Sequence, residues 1–117
     1  MRIGIFGGAA NDGTLDAMIN EARRAEADGF ASFWVPQIFG HDALTALAVM
    51  GREIPRIELG TSVVPTYPRH PMMMAQQALT VNAATGGRLC LGIGLSHQVV
   101  VEGMWGMNFA KPVRHMR

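Results

Sequence analysis

Four short apolar runs, Ile3–Phe6, Ser32–Val35, Ile57–Val64 and Leu89–Ile93, recur along the chain at intervals of roughly 30 residues, the length of one strand–helix unit. Each run is nearly continuous in apolar residues rather than alternating. A strand with one wet face alternates, whereas a parallel strand covered on both faces does not. The runs therefore predict parallel strands at about 3–7, 31–36, 57–64 and 89–94, adjacent and in that order, with an inner layer that includes Ile5, Val63 and Ile93.

Helical patterns fill the gaps. Leu15, Met18, Ile19, Ala22 and Ala25 share one face, while Asp16, Glu21, Arg23, Arg24 and Asp28 share the other, and Gly29 can end that helix. Asp42 is placed to cap a helix carrying Leu44, Leu47 and Ala48. His70-Pro71 opens a third helix, which Gly86-Gly87 closes near Ala84. Val99 to Met104 can begin a fourth, weakened by Gly103 and Gly106. The order βαβαβαβ(α) with right-handed crossovers builds a barrel or an open doubly wound sheet, and spacing alone does not choose between them.

Of the 117 residues 49% are hydrophobic and 16% charged, a composition that supports one folded domain over 1–117. Ten Lys/Arg stand against nine Asp/Glu without a basic run, so neither nucleic acid nor an anionic membrane surface is an expected partner. Apolar stretches stop well short of the roughly 20 residues of a membrane span. Met1-Arg2-Ile3 leads straight into a strand pattern without a secretory signal, and the single Cys90 has no internal disulfide partner. A cytoplasmic protein is the expectation.

The segments that follow the strands carry the candidate chemistry. Gly7-Gly8-Ala9-Ala10-Asn11-Asp12-Gly13 is glycine-rich but lacks the spacing of a dinucleotide fingerprint, and reads as a flexible rim loop. In Pro36-Gln37-Ile38-Phe39-Gly40-His41-Asp42 and the strand before it, Trp34 and Phe39 either wall a planar ligand or fill core. Arg69 and His70, beside a helix N-terminus, either receive an anion or serve as a solvated side chain and a cap. Gly92 and Gly94 fall on one face of the fourth strand, clearing space inside a barrel or beneath a flat ring. His97 then stands at the rim, as a proton donor or acceptor near neutral pH or as a structural loop residue. Cys90 reads as a buried, inert strand residue, and Met72-Met73-Met74 as helix packing. No paired-carboxylate, zinc or Ser–His–Asp spacing occurs.

Four blocks together resemble the luciferase-like monooxygenase superfamily, particularly its deazaflavin-dependent oxidoreductases. They are Ala25-Glu26-Ala27-Asp28-Gly29-Phe30 with Phe33-Trp34-Val35; Asp42-Ala43-Leu44-Thr45-Ala46-Leu47; Arg56-Ile57-Glu58-Leu59-Gly60-Thr61 through Arg69-His70-Pro71; and Thr85-Gly86-Gly87-Arg88-Leu89 through Leu91-Gly92-Ile93-Gly94. The resemblance implies a TIM barrel, of which this chain supplies the N-terminal half as about four parallel βα units. It implies coenzyme F420, or alternatively FMN, at the C-terminal rim. Ser62-Val63 would form a bulge, in many relatives with a non-proline cis peptide, supporting the coenzyme's central ring.

Cofactor contacts are thus expected from Ser62, Val63, Gly94 and Gln37. Many relatives carry an Asp-His pair just after strand two, where this chain has Gln37-Ile38; that acid/base role is then either missing or moved, with His97 the nearest candidate. The leading expectation is an oxidoreductase that moves hydride, or with FMN activates oxygen for monooxygenation, on a small organic substrate. The alternative is a non-catalytic half-barrel that associates or binds weakly. Open strand edges and uncovered apolar faces make a homo-oligomer the expected assembly.

Overall fold

In a computed structural model, which describes residues 1–116, the apolar runs become parallel strands in the expected order. They are β1 (Gly4–Phe6), β2 (Ser32–Val35), a third run divided into β3 (Glu58–Thr61) and β4 (Val64–Pro65), and a fourth divided into β5 (Leu89–Cys90) and β6 (Ile93–Gly94). The main sheet runs β1-β2-β3-β5, and β4 pairs with β6; every pairing is parallel.

The two divisions lie side by side. The Ser62–Val63 peptide bond, at the expected bulge, is cis. The Thr61 hydroxyl donates to the Gly92 carbonyl at 2.8 Å and accepts from the Gly92 N–H at 2.9 Å. Pairing resumes where the Val64 N–H donates to Gly92 O. A side chain on Gly92 would meet the Thr61 carbonyl, so the pair of breaks requires glycine there.

The helices are α1 (Ala9–Asp12), α2 (Leu15–Ala27), α3 (Ala43–Glu53), α4 (Pro71–Ala84), α5 (Gln98–Gly103) and α6 (Pro112–His115). Thr14 caps α2 and Asp42 caps α3 through side-chain bonds to the first-turn amides of Ala17 and Thr45. His70 Nδ1 accepts from the Met72 N–H at 3.2 Å with Pro71 in the first turn of α4, the capping role its position allowed. The core lies between sheet and helices: Phe33, Val35 and Leu59 meet Met18, Ala22, Leu44, Leu47 and Met50, all buried.

Several expectations are corrected. The first glycine-rich loop contains the turn of helix α1, whose Ala9 N–H donates to the Glu21 carboxylate at 3.0 Å. The inner face of the sheet carries Gly4, Trp34 and Gly60, since a Cβ on either glycine would run into the Trp34 ring. Ile5 instead shares the helix-facing side with Phe33 above α2, and Ile93 faces α4, because side chains alternate along a strand. Of the three consecutive methionines in α4, Met74 packs at 8% exposure whereas Met72 and Met73 are exposed at 62% and 47%. Cys90 is half-buried, its sulfur 4.0 Å from Glu58 Oε2; burial, then the Glu58 charge, pushes its thiol pKa up.

The N-terminal ends of the strands are clasped by two charged side chains. Glu26 Oε2 accepts from the N–H groups of both Arg56 and Ile57 at 2.7 Å. Arg88 donates to Ile57 O at 2.8 Å and to Gly51 O at 2.9 Å. Two of the sequence blocks are thereby explained by structure rather than chemistry, at the end of a barrel sheet opposite to that used for catalysis. Among the described residues no helix is long and apolar enough to cross a membrane.

Candidate active site

At the C-terminal ends of the strands three segments converge: the stretch after β2, the junction of β3 and β4, and the stretch after β6. They enclose a groove of about 400 Å³ lined by Phe6, Pro36, Gln37, Ile38, Phe39, Ser62, Val63, Pro65, Ser96, His97, Val100 and Trp105. Four of the five residues expected from sequence, Gln37, Ser62, Val63 and His97, therefore line one cavity. It is mostly apolar, with a few polar groups, as small-molecule sites are.

The stretch that carries Gln37 is held by its neighbours. Gln37 Oε1 accepts from the Ala43 N–H at 2.8 Å, while Asp42 accepts from the N–H and the hydroxyl of Thr45 at 2.9 and 2.7 Å. Both satisfy the open amides at the start of α3 and so fix the stretch 36–42. No acceptor pairs with Gln37 Nε2 among the described residues. Arg69 binds Asp42 Oδ1 at 2.7 Å with its side chain only 17% exposed, tying the segments after β2 and β4 together. Burial pushes the Asp42 carboxyl up, but the Thr45 bonds and the Arg69 charge outweigh it and hold the pKa below the ordinary carboxylate value.

Ser62 and Val63 form the inner wall, and Val63 is 40% exposed to the groove. Gly94 lies behind that wall. A Cβ there would come within 2.6 Å of Val63 Cγ2, so the space left by this glycine is occupied by valine and the residue supports the wall from outside the cavity lining. Ser96 adopts a left-handed φ of 65°, uncommon for a residue with a side chain, and turns the chain so that His97 enters the rim as the first residue before α5. His97 makes no capping bond and is exposed.

Other candidates lie apart. Arg69 is committed to Asp42, and His70 caps α4. Trp34 is on the inner sheet face, its indole N–H donated to Ser32 Oγ at 2.8 Å. A larger depression of about 580 Å³, beside Ala9, Asn20 and Arg23, belongs to the outer helical layer, away from the strand ends. Sequence reasoning placed a helix over Val99–Met104 but missed that Val100 and the following Trp105 line the groove, because only the fold brings that segment against the strand ends. Among the described residues no three His, Cys, Asp or Glu side chains gather as a metal site.

Comparison with known proteins identifies the family and the fold. A Mycobacterium tuberculosis protein named as a coenzyme F420-dependent oxidoreductase is 42% identical over 93 residues, spanning 80% of this chain and 27% of its own length. The coenzyme F420-dependent tetrahydromethanopterin reductase of Methanopyrus kandleri superposes with a TM-score of 0.80 at 23% identity, over 92% of this chain and 30% of its own. The FMN complex of a type II Baeyer–Villiger monooxygenase of Pseudomonas putida gives 0.80 at 19% identity, over 94% of this chain and 34% of its own. The chain thus spans about a third or less of these relatives; the two structures share its fold. The family model for luciferase-like monooxygenase matches residues 1–117, and the chain belongs to that family.

Proposed function

We propose that this chain supplies part of the active site of an oxidoreductase that moves hydride between coenzyme F420 and a small organic substrate, with FMN as the alternative coenzyme. The observation that carries this reading is the convergence of Ser62, Val63, Gln37 and His97 on one groove at the C-terminal strand ends. The residues fit a flat heterocycle: Val63, Pro65 and Phe6 offer apolar surface to a ring face, and the Ser62 hydroxyl and Gln37 Nε2 offer hydrogen bonds to ring-edge atoms. Gly94 keeps Val63 in place. Bound there, a deazaflavin supplies hydride alone, while a flavin can also activate oxygen.

The chain's own residues then do three things. The Gln37 and Asp42 caps hold the stretch after β2 at a fixed distance from the Ser62–Val63 wall. Ile38, Phe39 and Trp105 exclude water from the rim. His97 exchanges a proton through an imidazole nitrogen, as an oxygen that gains or loses hydride at its carbon requires.

Titration of the chain with coenzyme F420 and with FMN, followed by coenzyme fluorescence, tests the reading. Saturable binding weakened by Val63→Asp supports it; binding indifferent to that substitution rejects it.

A second reading, self-association into a homo-oligomer, is favoured by exposed apolar side chains on and beside both outer strands. Ile3, Ile5 and Phe6 are 51%, 37% and 56% exposed, and Leu91 and Ile93 are 40% and 43% exposed. Burying such surface is favourable by about 25 cal/mol per Å². Sedimentation velocity at micromolar concentration decides: a concentration-independent monomer rejects it.

A further inference from the structure

The pairing of β2 with β3 ends at Val35 and Thr61, with one more bond from the Ser62 N–H to Val35 O. Beyond it the strand ladder no longer sets how far apart the two segments stand. Residues of the stretch 36–42 then form one wall of the groove, and Ser62, Val63 and Pro65 another. Among the described residues a single ion pair joins the stretches 36–42 and 62–70 again, Arg69 Nη2 to Asp42 Oδ1 at 2.7 Å. The base of that tie is stiff. Arg69 follows Pro65-Thr66-Tyr67-Pro68 and precedes His70-Pro71, and the three prolines lock φ. The Arg69 N–H donates to Thr66 O at 3.2 Å, and the neighbouring Tyr67 is buried against Phe109, with ring centroids 5.1 Å apart.

The far end is equally committed. Asp42 Oδ2 accepts from the Thr45 N–H and hydroxyl, and Oδ1 meets the guanidinium. The N–H of the next residue, the buried Ala43, donates to Gln37 Oε1 at 2.8 Å. Moving Asp42 therefore moves Ala43, and with it the Gln37 amide that lines the groove. On its other side the stretch is tied to the segment after β1 by His41, whose N–H donates to Ala10 O at 3.3 Å and whose Nε2 lies 3.0 Å from Gly13 O. The His41 contacts are exposed and compete with water, whereas the Arg69 and Asp42 side chains are 17% and 35% exposed and attract each other with less screening. The ion pair is the firmer tie. Resting on the coenzyme reading, we infer that Arg69 is a positioning residue, which through Asp42 and the Ala43 N–H holds the Gln37 side chain in the groove and sets the distance between the two walls.

Two measurements on the whole chain test this. In the free chain, amide hydrogen exchange compares Ala43 with Leu47, which lies in the middle of α3. Arg69→Met is expected to raise the ratio of the Ala43 rate to the Leu47 rate on the order of tenfold. Arg69→Lys keeps the charge for what is a single N–H contact and is expected to restore most of the ratio. With coenzyme F420, and separately with FMN, fluorescence titration of Arg69→Met, Gln37→Ala and the double variant forms a double-mutant cycle. Arg69→Met is expected to weaken binding on the order of tenfold, and to weaken it no further once Gln37 is alanine. An unchanged exchange ratio overturns the inference, as do losses that add in the double variant, the mark of a residue that merely stabilises the fold. If neither coenzyme binds the wild-type chain, the coenzyme reading fails, and the exchange ratio alone decides whether Arg69 holds Gln37.

Discussion

Replacing Glu26 by alanine strikes the clasp beneath the sheet. Its Oε2 accepts from two backbone N–H groups at 2.7 Å, and Oε1 lies 3.1 Å from the Arg56 guanidinium. The three contacts are unequal. Ile57 is 3% exposed, so its N–H loses its partner without gaining water, a cost of about 2 kcal/mol. The Arg56 N–H belongs to an exposed residue and rehydrates, at about 0.5 kcal/mol. The ion pair joins a guanidinium side chain that is 74% exposed and adds about 0.5 kcal/mol. Glu26→Ala is therefore expected to destabilise the chain by about 3 kcal/mol. Glu26→Gln, which keeps an acceptor oxygen for both N–H groups, is expected to cost about 1 kcal/mol. Urea unfolding followed by circular dichroism, repeated at several protein concentrations, measures both as a fall in midpoint at constant slope. Equal losses for the two variants, or a loss below about 0.5 kcal/mol for Glu26→Ala, would refute the reasoning.

Three further outcomes follow from the site. Gly94→Ala forces Val63 toward the groove and is expected to weaken coenzyme binding on the order of tenfold in a fluorescence titration, with a smaller change in unfolding midpoint. His97→Asn is expected to slow hydride transfer by about 10²–10⁴-fold in stopped-flow measurements. Because the Asp42 pKa is lowered in the folded chain, its contribution to stability is present above the unfolded carboxylate value and fades as pH falls through the folded one. The gap in urea midpoint between the wild type and Asp42→Asn is thus expected to be constant above about pH 4 and to close below it; a gap that widens on acidification contradicts the assignment.

Strand order and parallel pairing were legible because continuous apolar runs at a βα spacing admit few arrangements. The choice of barrel over open sheet came from resemblance, since periodicity does not encode closure. The loop holding Gln37 and the rim position of His97 could be found because each follows a strand, and strand ends in such folds face one another; the role of Ser62 and Val63, inside the third apolar run, came from the resemblance. What each residue does there was less legible. The glycine at 94 suggested empty space, yet a missing Cβ looks the same in sequence whether a ligand or a neighbouring valine fills it. Arg69 read as a free cation because its partner Asp42 stands 27 residues away. The inner layer was misassigned at Ile5 because in a run that is apolar throughout, hydrophobicity does not reveal which parity faces which layer. Trp105 escaped notice because it lies just past the last helix the sequence predicts, and only the fold brings that segment against the strand ends.

The central claim is that the wall at Ser62 and Val63, with Gln37 and His97, receives a deazaflavin or flavin ring. Two-dimensional amide NMR of the isotope-labelled chain during titration with coenzyme F420, and separately with FMN, tests it most directly. Saturable shifts centred on residues 37, 62–63 and 96–97, lost in Val63→Asp, are the predicted result. Shifts centred on the outer face of α2, or none at these residues while the coenzyme binds elsewhere, would contradict it.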